Sequence, residues 1–201
     1  GAPFQRFEGV ELSGKTLGIV GFGAIGQQIA IRAKAFGLNV VAADPFQSVE
    51  NFNKHGVEKL DLAEVAACSD FISMAAKVTP ETTGMFSSEI FALMKPTSFF
   101  INTARAALVD YEALYEVLAA KKIAGAALDV YPQEPLVSGS KLRTLSNVVL
   151  SPHLAGSTAE VKIHHSKMVV DDLLEILKGN SVSRIANSVV LAQFLKSGGL
   201  L

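Results

Sequence analysis

Thr16-Leu17-Gly18-Ile19-Val20-Gly21-Phe22-Gly23-Ala24-Ile25-Gly26 is the stretch on which the fold turns. Its first five residues form a short apolar, β-branched run of the kind that becomes a buried strand. Three glycines follow in the spacing Gly21-x-Gly23-x-x-Gly26, and the run from Ala24 to Phe36 then reads as a helix with Ile25, Ile29 and Ala33 on one face. A strand that turns through glycines into a helix has a physical purpose. Gly21 permits the tight turn, Gly23 lets backbone approach a diphosphate, and Gly26 lets helix and strand pack closely. The first-turn amides, Ala24 and Ile25 among them, and the helix dipole then face the anion.

The second strand, Asn39 to Ala43, ends at Asp44-Pro45, and Asp44 stands 18 residues after Gly26. An acid at that spacing can hydrogen-bond the adenosine ribose hydroxyls, and its charge would repel a 2′-phosphate. This favours NAD over NADP. The plainer reading is a turn aspartate before Pro45.

The remaining pattern alternates short apolar runs with amphipathic stretches, the mark of a parallel sheet wrapped by helices. A short helix is expected over Val49–His55 with a brief strand at Val57. Asp61 caps a helix to about Ala67, and Phe71-Ile72-Ser73-Met74 is the next strand. Ser87 caps Glu89–Met94, which Lys95-Pro96 ends. Strands follow at Ser98–Ile101, Ile123–Leu128 and Asn147–Leu150, with helices over Tyr111–Ala120 and Ser157–Leu177. The expected fold is α/β, a Rossmann-type doubly wound parallel sheet of about seven strands. Residues 1–179 form one dinucleotide-binding domain in this reading. Residues 180–201 form a tail whose Val189, Val190, Leu191, Phe194 and Leu195 have no clear place in the sheet.

Composition sets bounds on partners. With 49% hydrophobic and 18% charged residues, the 201-residue chain can bury a sizeable core. A net charge of −1 gives no reason to expect nucleic acid or an anionic membrane as partner. The apolar runs are too short and interrupted to span a bilayer. The single cysteine, Cys68, excludes an internal disulfide and fits a reducing, cytoplasmic setting. No metal is expected. The start, Gly1-Ala2-Pro3, has no Met and does not resemble a signal peptide; it reads as a tag remnant or a domain cut from a longer protein.

A second set of residues falls at the ends of later strands: Asn102-Thr103-Ala104-Arg105, Asp129, Glu134 and His153. Reduction of a 2-keto acid needs a cation for the carboxylate and a proton donor for the developing alkoxide. Arg105 suits the first task, because its planar fork can hold a carboxylate through two hydrogen bonds. Read instead as a surface arginine, it would sit at a helix N-terminus, where the dipole disfavours a cation. His153 can donate and accept a proton near neutral pH. Glu134, 19 residues earlier, can hold its tautomer and stabilise the imidazolium. Asp129 either tunes Glu134 or caps a turn. His164 and His165 lack such company and read as surface or interface residues.

These motifs together resemble the D-isomer-specific 2-hydroxyacid dehydrogenases, a family that includes phosphoglycerate, glyoxylate and D-lactate dehydrogenases and a corepressor branch. The similarity runs from about Glu11 to Gly179. It rests on residues 12–23, Thr79-Pro80-Glu81-Thr82, Asn102-Thr103-Ala104-Arg105, Ala127-Leu128-Asp129-Val130-Tyr131, Glu134-Pro135 and Ser151-Pro152-His153. The resemblance implies that Arg105 binds the substrate carboxylate and carbonyl and that His153 is the acid/base catalyst assisted by Glu134. It places Ala104, Asp129 and the loop after Met74 near the nicotinamide. It implies a cofactor site of Gly21, Gly23, Ala24, Ile25, Gly26, Asp44, Pro45, Thr79, Thr103, Ala104, Arg105, Asp129, His153 and Gly156, filled by NAD, and a homodimer formed through this domain.

Two departures stand out. Ala106-Ala107 replaces the glycines that usually follow the arginine. Ala75-Ala76-Lys77-Val78 replaces a histidine-x-proline-leucine loop. Lys77 can reach an anionic group on a substrate, although an exposed structural lysine is the plainer reading. Family members also begin with a substrate domain of about a hundred residues, to which the 180–201 tail would return. A fragment without it is expected to bind NAD(H) and turn over poorly, since closure needs both domains. A second reading is an NAD(H)-sensing interaction module like the corepressor branch. A third, a dinucleotide domain of the alanine dehydrogenase or adenosylhomocysteinase kind, conflicts with the order Arg105, Glu134, His153.

Overall fold

Three strands have the limits that their apolar runs predict: Thr16–Val20 (β1), Asn39–Ala43 (β2) and Phe71–Met74 (β4). The computed structural model describes residues 9–182 together with 184, 185, 187, 190 and 193. Of the tail residues named above, Val189, Leu191, Phe194 and Leu195 lie outside the described residues. The other strands are Glu58–Lys59 (β3), Phe99–Asn102 (β5), Gly125–Leu128 (β6) and Val148–Leu150 (β7). All seven pair in parallel in the order β3-β2-β1-β4-β5-β6-β7. This is the doubly wound arrangement, with its switch point between β1 and β4.

Alternation along the strands splits the core into two layers. Leu17 and Ile19 of β1 and Val40 and Ala42 of β2 face Ala30 and Ala33 of α1 (Ala24–Ala35) and Phe52 of α2 (Val49–Lys54). On the other face Val20, Ile72, Met74 and Phe100 meet Val65 of α3 (Leu62–Cys68), Phe91 of α4 (Ser88–Phe91) and Leu114 of α5 (Tyr111–Ala119). Phe86, Phe91 and Phe100 pack there with ring centroids 4.7–5.2 Å apart. Edge-to-face contacts of this kind favour one arrangement of the layer.

Small residues let helices come close to the sheet. α1 buries Gly26, Ala30 and Ala33, whereas Ile25 is 67% exposed, so the apolar face expected through Ile25 is rotated. The cause is contact distance: a Cβ at Gly26 would overlap the Gly21 carbonyl oxygen. α3 does the same over β1. A side chain at Gly18 would overlap Ser69 Oγ and Val65 Cγ1. Ser69 is fully buried there, donates to the Val65 carbonyl at 2.6 Å and accepts at its own carbonyl from Ser98 Oγ at 2.7 Å.

Other limits shift by a few residues. The brief strand expected at Val57 falls on Glu58–Lys59, because Val57 is turned into the core. β6 starts at Gly125, because Ile123, though buried, still belongs to the turn that follows the left-handed Lys121. Asp61 and Glu64 form a reciprocal capping box on α3. Ser87 occupies the N-cap of α4, but its hydroxyl donates to Glu89 Oε2 and accepts no bond from the helix backbone. α4 is only four residues long, and looser turns continue it to Met94.

The chain divides into two compact units, Gly1–Ala155 and Gly156–Leu201. Within the second, α6 (Ala159–Leu177) has no buried residue and exposes Ile163, Val169, Val170 and Leu173. Arg184 pairs there with Asp172 through two hydrogen bonds of 2.6 and 2.8 Å. No helix among the described residues is long and apolar enough to cross a membrane.

The approach of α3 to β1 is the tightest constraint on this core. Replacing Gly18→Ala should lower the free energy of unfolding by about 1–3 kcal/mol, the usual cost of overpacking, read as a drop in the urea midpoint at unchanged slope.

Candidate active site

Parallel pairing brings the strand ends to one edge. Val20, Met74, Asn102, Leu128 and Leu150 are register partners across β1, β4, β5, β6 and β7. Three residues beyond that line lie Gly23, Lys77, Arg105, Tyr131 and His153. Parallel pairing thus sets loops of different chemistry side by side along the sheet edge. Lys77, Arg105, Tyr131 and His153 line one open cleft of about 1160 Å³, with Ile25, Thr103, Ala104 and Glu134.

The glycine turn lies beside the switch point. Gly21 has φ +97° and its backbone rests on Ala76, where a Cβ would overlap backbone atoms. With Gly26 already accounted for by packing, Gly23 is the odd one out. Its φ is −76°, and a Cβ there would meet nothing within 4 Å. No contact among the described residues requires a glycine at that position, and the space beside it is open. α1 begins at Gly23 without a side-chain cap and with no acid in its first turn, which leaves Ala24, Ile25 and Gly26 amides free for an anion.

Asp44 does two things at the end of β2. Its Oδ2 accepts from the Phe22 amide at 2.8 Å and its Oδ1 from the Phe46 amide at 2.9 Å. The turn-aspartate reading is therefore part of its role, and each oxygen retains a lone pair for a ribose hydroxyl. Phe22 is buried and stacks on Phe52 with centroids 4.5 Å apart, which anchors the glycine turn to α2. Phe46 beside Asp44 is 81% exposed, an open aromatic face that sequence reasoning passed over.

Arg105 is presented by a loop built on Asn102. Asn102 is fully buried; its Oδ1 accepts from the Ala104 amide at 3.0 Å and its Nδ2 donates to the Arg105 carbonyl at 3.1 Å. Arg105 itself is exposed and extended, and donates from Nη1 to the Ala104 carbonyl at 2.6 Å. Only a three-residue 3-10 turn, Ala106–Leu108, follows it, and α5 starts later at Tyr111. The dipole argument drawn from a following helix thus carries little weight. Half-buried Tyr111, whose hydroxyl is pushed well above its usual range mainly by burial, donates to the Val130 carbonyl and braces this loop against the end of β6.

The His153 loop is held from beneath by Asp129. This carboxylate is 3% exposed and accepts from Ser151 Oγ at 2.5 Å and from the Leu154 and Ala155 amides at 2.8 and 2.9 Å. Burial alone would raise its pKa, but the bonds from Ser151, Ala155 and Leu154 outweigh that and hold it below the usual carboxylate range. His153 has φ +55°, a conformation few L-residues adopt, and its own amide donates to the Asp129 carbonyl at 2.9 Å. Asp129 thus caps the turn, and its charge also acts on Glu134, opposing in small part the lowering by His153 and Tyr131. His153 Nδ1 lies 2.7 Å from Glu134 Oε2, while Glu134 Oε1 accepts from the Tyr131 amide at 3.0 Å. The bond from His153 first, and that from Tyr131 second, keep the Glu134 carboxyl below its ordinary range. Tyr131 Oη bridges the Leu128 and Ser151 carbonyls, both at 2.8 Å, tying the ends of β6 and β7 together.

Residues 3–155 match the model of the D-isomer specific 2-hydroxyacid dehydrogenase, NAD binding domain. The chain belongs to this family. It is 41% identical over 184 residues to D-3-phosphoglycerate dehydrogenase of Methanocaldococcus jannaschii, a match covering 91% of this chain and 35% of that protein. It is 40% identical over 185 residues to glyoxylate reductase of Thermococcus litoralis, covering 92% and 56% respectively. The NAD-complexed crystal structure of a D-isomer specific 2-hydroxyacid dehydrogenase from Lactobacillus delbrueckii ssp. bulgaricus superposes with a TM-score of 0.80 at 28% identity, over 91% of this chain and 59% of that one. The chain thus spans between about a third and somewhat over half the length of these relatives. NAD is the family's cofactor for this domain, and these matches lend no support to a sensing module.

Not every expected cofactor residue lines the cleft. Gly21, Gly23, Gly26, Asp44 and Pro45 belong to the switch-point end of the row, and Asp129 lies beneath it. Thr79 is folded into its own turn, its amide donating to Thr82 Oγ1 at 2.8 Å and its carbonyl accepting from Thr83 Oγ1 at 2.8 Å. Gly156 lies in the second unit.

Two outcomes follow from this geometry. Gly23→Ala should leave the urea midpoint of the chain nearly unchanged while weakening NADH binding, measured by fluorescence titration. Asp129→Asn should cost about 1–3 kcal/mol at neutral pH, because an amide cannot accept all three hydrogen bonds. Since the folded carboxyl is held low, its stabilisation is complete above about pH 4 and is lost as pH falls through the folded value. The gap between wild type and Asp129→Asn in urea unfolding should therefore close on acidification.

Proposed function

We propose that the protein containing this chain is an NAD-dependent dehydrogenase that interconverts a D-2-hydroxy acid and a 2-keto acid. The observation that carries this reading is the 2.7 Å contact of His153 Nδ1 with Glu134 on a cleft that Arg105 also lines. Bound NAD(H) supplies or accepts the hydride. Arg105 holds the substrate carboxylate and carbonyl through its forked guanidinium. Glu134 accepts the proton on Nδ1, which leaves His153 Nε2 to give a proton to the forming hydroxyl and to recover it in the reverse direction. The left-handed turn imposed by Asp129 presents the imidazole, so the acid/base group enters the cycle already oriented.

The same reading assigns the diphosphate to Gly23, Ala24, Ile25 and Gly26, and the adenosine ribose to Asp44 beside Pro45. It assigns the nicotinamide end to Thr103, Ala104, Arg105, Asp129 and His153, with Thr79 and Gly156 at the margins. Residues 1–179 are then the cofactor domain, and 180–201 lead back to a separate substrate domain. The apolar surface of α6 supports assembly of the cofactor domains as a homodimer, and the lone cysteine fits a cytoplasmic enzyme.

The test is a screen of 2-keto acids with the full-length protein, following loss of NADH absorbance. His153→Ala should lower kcat by about 10²–10⁴-fold. Asp44→Ala should narrow the preference for NADH over NADPH in binding. Absence of turnover on every 2-keto acid would overturn the proposal.

A further inference from the structure

Two cations of the cleft have no carboxylate partner among the described residues. Three carboxylates line it with Lys77 and Arg105, and each already has a partner. Asp110 caps α5 by accepting from the Glu112 and Ala113 amides at 3.0 Å. Glu112 pairs with Lys141 at 2.5 Å, and Glu134 holds His153. Among the described residues neither Lys77 nor Arg105 forms an ion pair. Lys77 Nζ also makes no hydrogen bond, while the Lys77 carbonyl is fixed by Thr82 Oγ1 at 2.7 Å. The backbone is thus held and the ammonium left exposed.

Lys77 and Arg105 each stand three residues beyond the paired residues Met74 and Asn102, on adjacent strands. Arg105 has a use in the proposed reaction, and Lys77 has none. We propose that Lys77 is a specificity-determining residue that receives a second anionic group on the substrate. The substrate is then a 2-keto or 2-hydroxy acid with a further carboxylate or phosphate. This rests on the reading of Arg105 as the holder of the first carboxylate. An ammonium is a compact point charge with three donors, which serves a distal carboxylate or phosphate equally.

The full-length protein should be assayed with NADH against glyoxylate and pyruvate as monoanions, and 2-oxoglutarate and phosphohydroxypyruvate as substrates with a second anion. The wild type should give the higher kcat/KM with at least one of the latter pair, and which one distinguishes carboxylate from phosphate. Lys77→Met should reduce that preference by about ten- to a hundredfold, the worth of one hydrogen bond to a charged group. Lys77→Arg should retain most of it. A preference changed less than about twofold in Lys77→Met would overturn the inference. So would an equal loss on all four substrates or a weaker NADH affinity, which would assign the lysine to another part of the protein or to the cofactor. A wild type that favours glyoxylate or pyruvate would also overturn it. If the wild type reduces no 2-keto acid, the dehydrogenase reading falls and takes this one with it; turnover with an unaltered preference removes this one alone.

Discussion

Parallel strand pairing governs this molecule, because it allows no short hairpins and sends every strand's C-terminus to the same edge. Each crossover must run back across a face of the sheet, so helices cover the strands and loops collect where the strands end. The register then does more than stabilise. Partners from Val20 to Leu150 share one line, and residues at the same distance past it become neighbours although they are far apart in the chain. A lysine, an arginine and a histidine line one cleft because parallel pairing brings their strand ends to one edge.

Beneath that edge, buried polar side chains convert strand ends into defined loops. Asn102 folds the Arg105 loop, Asp129 folds the His153 loop, and the Tyr131 hydroxyl joins two strand ends. Each is buried and hydrogen-bonded, and no buried side-chain nitrogen or oxygen among the described residues is left without a partner. Such groups are costly when one bond is lost, which makes their geometry specific. The loops that carry exposed Arg105 and His153 are thus held at their backbone by a buried polar layer.

Much of this was legible from the sequence. β1, β2 and β4 were readable because apolar runs end abruptly at glycine, aspartate or a loop. The pairing of Glu134 with His153 was foreseeable from residue chemistry and spacing to a strand end. What escaped depended on closeness between residues distant in sequence. The buried face of α1 follows from a backbone contact at Gly21, not from where the larger apolar residues lie. Asp129 had two open roles because the amides it caps lie 25 and 26 residues onward. Arg105 was placed at a helix start, but a short 3-10 turn intervenes, and no periodicity marks such a turn.

The three glycines of the first turn answer to different selective pressures. Gly21 and Gly26 are demanded by the chain's own backbone contacts, so any descendant that keeps this turn must keep them whether or not it binds a nucleotide. Gly23 faces open space, and no contact among the described residues demands a glycine there. In a lineage that abandoned its cofactor, substitutions would accumulate at the middle glycine first.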